Sequence, residues 1–171
     1  EVNIITDLLK TGCTVFDPAF KRDFLQQAAG FRVLHLPMHS VVNDQNPMLS
    51  ELIFSNEGHP DNKLTAIELY NMQLGADMAV LSACNTGFGE LRRGEGIMSL
   101  SRAFAYAGVP SAVISLWKVP DFATSKVMVL YYKHLGTGLY KDRALQLAKT
   151  DFVAQNREMA DPFYWSGFIL S

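Results

Sequence analysis

The sequence predicts an α/β fold in which helices cover both faces of a mostly parallel sheet. Three short apolar runs lack a helical period and are typical of strands buried on both faces: residues 31–38 (FRVLHLPM), 77–82 (DMAVLS) and 111–116 (SAVISL). Segments with helical spacing lie between and around these runs. Strands that alternate with helices favour parallel pairing, because each crossover returns the chain to the same edge of the sheet.

The first third of the chain is predicted to contain two helices, over residues 2–11 and 18–29. Asp17 is a suitable N-cap for the second helix, and Pro18 suits its first turn. The strand at 31–38 comes directly after this helix and is the first buried strand of the predicted sheet.

The region between the first two buried strands is more polar. We expect a loop at 39–47, a strand at 49–54 and a second loop at 56–62, because turn-forming residues dominate both loops. Thr65 is positioned to cap a short helix over 66–72.

The second half repeats the alternation of strand and helix. Its predicted elements are a loop at 84–94, a helix at 96–107 stopped by Gly108, the strand at 111–116, helices at 121–135 and 143–156, and an apolar segment at 163–170.

Composition excludes several classes of protein. The formal net charge of the 171 residues is −2 with mixed signs, which differs from the basic surface of a nucleic-acid binder. No apolar run approaches the roughly 20 residues that span a bilayer. Cys13 and Cys84 are the two cysteines, and CxxC and HxxxH spacings are absent, so we expect neither a disulfide scaffold nor a metal site. We expect no cofactor, a structural role for Cys13 and a cytoplasmic location.

The length suits a single domain over residues 1–171. The sequence begins without methionine and stops inside an apolar run. We therefore expect a fragment that lacks the N-terminal part of its domain or protein.

Two residues with catalytic chemistry follow predicted strands. His39 comes after the first buried strand and Cys84 after the next one, 84 − 39 = 45 residues later. Sites of α/β folds lie beyond the carboxyl ends of their strands. A thiolate assisted by an imidazole is the minimal requirement of a cysteine peptidase. The alternative is a buried, inert thiol and a surface imidazole.

Four segments, in order, resemble one known family. They are VLHLPMHS (33–40), AVLSACNTGFGELRRGEG (79–96), LSRAFAYAGVPSAVISLWKVPDFAT (100–124) and PFYWSGFIL (162–170). The family is the CHAT branch of the caspase-like cysteine peptidases, which is related to caspases and separase.

The resemblance implies a three-layer α/β/α sandwich, with Cys84 as nucleophile and His39 as general acid/base. It also implies an oxyanion hole formed by the backbone N–H groups of Ser40 and Cys84. Members of the family are often fused to helical repeats, so a regulatory helical-repeat region or partner protein is expected.

Two residues depart from the family pattern. Ser40 stands where the family has glycine, which matters if that position needs a positive φ. Its N–H remains, so the oxyanion donor is retained. Pro37 cannot donate to a strand ladder, which predicts that the first strand ends early or distorts.

Asp121 has two interpretations that the sequence leaves open. As an N-cap it would begin the helix at 121–135. As a pocket acid it would receive a basic substrate side chain, in resemblance to separase, with Trp117 as a wall of the same pocket. Trp117 could equally be a core residue.

The sequence thus carries three functional hypotheses. The first is a cysteine endopeptidase that acts on protein or peptide substrates without direct contact with nucleic acid or membrane. The second is a catalytically silent caspase-like interaction or regulatory module. The third, a nucleotide- or flavin-binding domain, is disfavoured because no GxGxxG or Walker-type loop follows a strand.

Overall fold

A computed structural model describes residues 2–9, 12–43, 45–56, 61–82 and 95–171, with side chains from residue 100 onward in the last range. The chain divides into two compact units. The first comprises Glu1–Val15 and Val119–Leu170, and the second comprises Phe16–Lys118 together with Ser171. The expectation of a single domain stays a prediction.

The secondary structure alternates as expected. The helices are α1 (Val2–Leu9), α2 (Lys21–Gln27), α3 (Ala66–Tyr70), α4 (Glu95–Tyr106), α5 (Asp121–Leu135) and α6 (Lys141–Gln155). The strands are β1 (Val33–His35), β2 (Ser40–Val41), β3 (Glu51–Ile53), β4 (Lys63–Thr65), β5 (Met78–Leu81), β6 (Ala112–Ser115) and β7 (Phe168–Leu170).

The second unit is built around a parallel sheet. β5 lies between β1 and β6 and runs parallel to both. Every residue of β5 and β6 is buried, which explains why these strands have continuous apolar sequences without alternation. Ser171 and Ala112 exchange both backbone N–H···O bonds, the pattern of an antiparallel pair. The predicted α/β class with a mostly parallel sheet is confirmed.

The first strand ends early, as Pro37 predicted. β1 stops at His35, and the Leu36 N–H still donates to the Val80 carbonyl at 2.8 Å. Pro37 has no N–H with which to continue this ladder.

A small antiparallel sheet joins β2, β3 and β4 in the same unit. The prediction of a loop over 39–47 is wrong at Ser40–Val41, which pairs with β3. β4 covers Lys63 and Leu64, for which no element was predicted, and Thr65, which was predicted as a helix cap. The two residues of β2 and the three of β4 do not lie in a longer apolar run, so only their pairing reveals them.

Three expected helix caps have different outcomes. Thr65 caps α3 through a capping box with Glu68, as predicted. α2 begins at Lys21 with Phe20 at its N-cap, so the cap at Asp17 is wrong. α5 begins at Asp121, but Pro120 is its N-cap because the Pro120 carbonyl accepts the first helical N–H groups, from residues 123 and 124.

Helices dominate the first unit. α5 packs against both α1 and α6, and its inner face buries residues such as Ala123, Val127 and Tyr131. Ala144 and Ala148 of α6 are fully buried and small, which allows the two helix backbones to approach closely. Among the described helices, none is long and apolar enough to cross a bilayer.

Candidate active site

The candidate site is defined by the carboxyl ends of β1 and β5. These strands are parallel neighbours, and His35 of β1 is in register with Val80 of β5. His39 follows His35 by 39 − 35 = 4 residues, and Cys84 follows Val80 by 84 − 80 = 4 residues. Cys84 itself lies outside the described residues. The two candidates therefore have the same sequence offset from a register pair.

Backbone hydrogen bonds hold both ends of the segment that carries His39. At its start, the Leu36 N–H donates to the β5 carbonyl of Val80. At its end, the His39 carbonyl accepts from the Ile53 N–H of β3 at 2.9 Å. The His39 side chain is exposed. The imidazole thus reaches solvent from a backbone fixed to both sheets of the unit.

The backbone N–H of Ser40 points away from its partner strand. The bond from Ile53 to the His39 carbonyl makes these two residues a hydrogen-bonded pair of the antiparallel ladder. The next pair, Ser40 with Leu52, is therefore of the non-hydrogen-bonded type, in which N–H and C=O groups face outward. β2 is at the edge of its sheet, so this N–H is directed to the side opposite β3.

Two buried serine hydroxyls lie beside the candidate residues in the sequence. Ser40 is 2% exposed and Ser82 is 4% exposed, and neither hydroxyl has a hydrogen-bond partner within the described part of the chain. An unpaired buried hydroxyl costs about 1–3 kcal/mol, so such groups call for a functional or structural explanation. Ser82 was not among the predicted site residues, although it lies within the Ser-Ala-Cys motif.

The two pocket candidates have contrasting environments. Trp117 is half-buried, and its carbonyl accepts a hydrogen bond from the Ser115 hydroxyl at 2.6 Å. Asp121 is exposed and is the first residue of α5, directly after the N-cap Pro120. The N-cap interpretation of Asp121 is therefore wrong, because Pro120 occupies that position. Its role as a pocket acid stays a prediction.

Two further sequence expectations concern metals and Cys13. Within the described residues, no group of three or more His, Cys, Asp or Glu side chains is arranged to hold a metal ion. Cys13 is exposed. It therefore fills no core space, and it has to be considered in any thiol-labelling experiment.

Comparison with known proteins assigns the family. The CHAT domain model matches residues 1–171, so the chain belongs to the CHAT domain family, as the motifs predicted. Tetratricopeptide repeat protein 28 of Mus musculus and that of Homo sapiens are each 31% identical to the chain over 107 residues. That match covers 63% of this chain and 4% of each relative's length.

Proposed function

We propose that this chain is a cysteine endopeptidase, a thiol protease in which Cys84 is the nucleophile and His39 the general acid/base. The observation that carries the proposal is the equal offset of both residues from the register pair His35 and Val80. Equal offsets beyond neighbouring parallel strands favour proximity, since such strands lie about 4.8 Å apart. Membership of the CHAT family supports the same assignment.

The proposed reaction proceeds in two steps. The Cys84 thiolate attacks the scissile carbonyl carbon and forms a C–S bond. The C–N bond then breaks, and the His39 imidazolium gives its proton to the leaving amine. Water subsequently hydrolyses the thioester as His39 accepts a proton from it, which releases the acid and regenerates the thiol–imidazole pair.

The oxyanion of each tetrahedral intermediate would be bound by the N–H groups of Ser40 and Cys84. The outward orientation of the Ser40 N–H supports this role, because a donor engaged in the β2–β3 ladder could not serve it. The serine at this position keeps the donor that glycine supplies in the family pattern. The buried hydroxyls of Ser40 and Ser82, which have no hydrogen-bond partner among the described residues, support a functional site here.

Three finer features belong to the same proposal. Asp121, together with Trp117, would select a basic residue before the scissile bond, and the exposure of the Asp121 carboxylate keeps it accessible. A helical-repeat region or partner would regulate the activity, in line with the name of the tetratricopeptide repeat relatives. A cytoplasmic location fits the scarcity of cysteine.

Thiol labelling and peptide cleavage test the nucleophile. In a Cys13→Ser background, which removes the exposed competitor, iodoacetamide should alkylate Cys84, and His39→Ala should slow that alkylation. Cys84→Ala should abolish cleavage of a peptide library by the full-length protein. Cleavage after Arg or Lys should predominate in the parent protein, with Arg preferred if the contact with Asp121 is bidentate.

The controls separate the alternatives. Cys84→Ala should retain the circular dichroism spectrum and melting temperature of its parent, so that lost cleavage reflects chemistry. Full cleavage by Cys84→Ala would refute the mechanism, and an intact full-length protein that cleaves nothing would favour the silent interaction module. Cleavage mainly after Leu, Phe or Asp would refute the role of Asp121 alone.

A further inference from the structure

The first unit contains a groove along one face of α6. The groove has a volume of about 600 Å³. Its helical wall is formed by residues that recur every three or four positions: Asp142, Leu145, Gln146, Lys149, Thr150 and Val153. This wall spans the 12 residues from Asp142 to Val153, or about 16 Å of helix axis. Its length therefore matches about three turns of a second helix.

The rest of the groove lining is apolar. Trp165 lines the groove together with Phe168, Ile169 and Leu170 of β7. The Trp165 indole N–H donates to the Ala160 carbonyl at 3.0 Å, which fixes the ring against the preceding turn. Trp165, Ile169 and Leu170 remain partly exposed. The groove thus offers an ordered apolar surface to a ligand.

Lys149 introduces a positive charge in the middle of this surface. Burial lowers the pKa of Lys149, which means that its ammonium has lost part of its hydration. Its described hydrogen bond is a long one of 3.5 Å to the Ser166 carbonyl. None of the ion pairs described for this unit involves Lys149. A carboxylate brought into the groove would therefore add a charged partner for this ammonium.

Asp142 supplies a second charge on the same wall. It is exposed and precedes Lys149 by seven residues, or about 10 Å along the helix. Two turns of an occupying helix cover the same distance. An occupying helix with an acidic residue opposite Lys149 and a basic residue two turns away would pair with both Lys149 and Asp142.

We propose that this groove is a docking site for an amphipathic helix of a partner protein that presents an acidic residue within an apolar face. The α6 wall provides the ridges and grooves against which a helix packs, and Lys149 selects the acid. The proposal goes beyond peptidase activity and does not depend on it. The partner is defined by this charge pattern and by a length of about three turns.

Binding of matched synthetic peptides tests the proposal. Three fluorescein-labelled helical peptides of about 18 residues would share one leucine face and a basic residue two turns from the centre. They would differ only in the central residue, which is Glu, Gln or Lys. Fluorescence polarisation with the complete chain should give at least about tenfold tighter binding of the Glu peptide than of the Gln peptide, and weakest binding of the Lys peptide.

Variants of the groove assign the effect to Lys149. Lys149→Met should remove the preference for Glu over Gln, whereas Lys149→Arg should retain it because the charge is kept. Val153→Asp should weaken the binding of all three peptides. Lys133→Met, which removes an exposed lysine outside the groove lining, should leave all three affinities unchanged. Circular dichroism would verify that each variant is folded.

Several results would overturn the proposal. Equal affinity for the Glu and Gln peptides would show that Lys149 selects nothing, and no saturable binding up to about 1 mM would exclude a helical ligand of this kind. Self-association of the chain that Val153→Asp abolishes would make a second copy the occupant instead. Polarisation reports binding alone, so a negative result here is separate from failure of the proposed peptidase activity.

Discussion

Lys21 is a buried ammonium whose charge is balanced by two carboxylates. It is 6% exposed and contacts Asp61 at 2.9 Å and Glu68 at 2.7 Å. Burial by itself would lower the pKa of Lys21, but the hydrogen bonds from both acids outweigh this and raise it. The acids are themselves 78% and 43% exposed, so solvent screens them. The loss of stability on breaking this cluster therefore depends on whether the buried lysine or one of the exposed carboxylates is removed.

Removing the acid should destabilise the chain more than removing the lysine. Glu68→Gln keeps an acceptor for the capping box but leaves Lys21 with Asp61 alone, and we expect a loss of about 1 kcal/mol after allowance for screening. Lys21→Met replaces a buried ammonium by an apolar side chain of similar length and should be nearly neutral. Urea unfolding of the two variants and of the double variant would measure both effects. A Glu68→Gln cost that persists unchanged in the Lys21→Met background would contradict this explanation.

The ion pair between Lys21 and Glu68 also predicts how the stability of the fold depends on pH. Burial would raise the pKa of Glu68, but hydrogen bonds from Lys21 and Thr65 outweigh burial and lower it. A carboxyl group with a lowered folded pKa stabilises the fold above its unfolded pKa of about 4.3 and loses that contribution as pH falls through the folded value. The stability difference between the parent and Glu68→Gln should therefore shrink below about pH 4.

At the scale of single elements, the C-terminal end of α4 is set by a glycine and two backbone hydrogen bonds. Gly108 has a φ of +93°, and its N–H donates to the Ala105 carbonyl, while the Val109 N–H donates to the Phe104 carbonyl. These two bonds form a Schellman motif, and the apolar residues Val109 and Phe104 are both buried beside it. Sequence had predicted Gly108 as the stop signal, and the structure confirms it.

Gly108→Ala should cost about 2–4 kcal/mol, because a left-handed residue with a Cβ is strained and the new atom would lie 2.8 Å from the Leu74 carbonyl oxygen. Thermal and urea unfolding would measure the loss. Gly30→Ala is the matched control: its Cβ would have no neighbour within 4 Å, and we expect a change below about 0.5 kcal/mol. Equal effects of the two substitutions would refute the steric argument.

At the scale of the whole molecule, the prediction concerns regulation. Control by a helical-repeat region is part of the proposed function, and the chain's match covers 4% of the length of the two tetratricopeptide repeat relatives. We expect the 171-residue chain alone to cleave peptides weakly or not at all, and the full-length protein to turn over many times faster. Turnover of a fluorogenic peptide library by both proteins at equal concentration would measure this. Equal turnover would exclude dependence on segments outside the chain.

The sequence alone determined the α/β class, the positions of strands β1, β5 and β6, the helix stop at Gly108 and the family. These features are local: continuous apolar runs, a glycine with a required positive φ, and motifs of adjacent residues. It also nominated His39 and Cys84, because residues that follow parallel strands meet at one sheet edge. The prediction that all three strands are buried on both faces holds for β5 and β6 but is wrong for β1, where Val33 is exposed and Leu34 is the one buried residue.

Tertiary structure alone decided the remaining features. The pairing of Ser40–Val41 with β3 depends on residues ten or more positions away and carries no periodic signal in two residues. The outward direction of the Ser40 N–H follows from that register and cannot be deduced from the identity of the residue. The groove beside α6 likewise depends on tertiary packing, because Trp165 and β7 are brought to line the same groove as Lys149. The burial of a charge depends on what packs around it, which the sequence does not show.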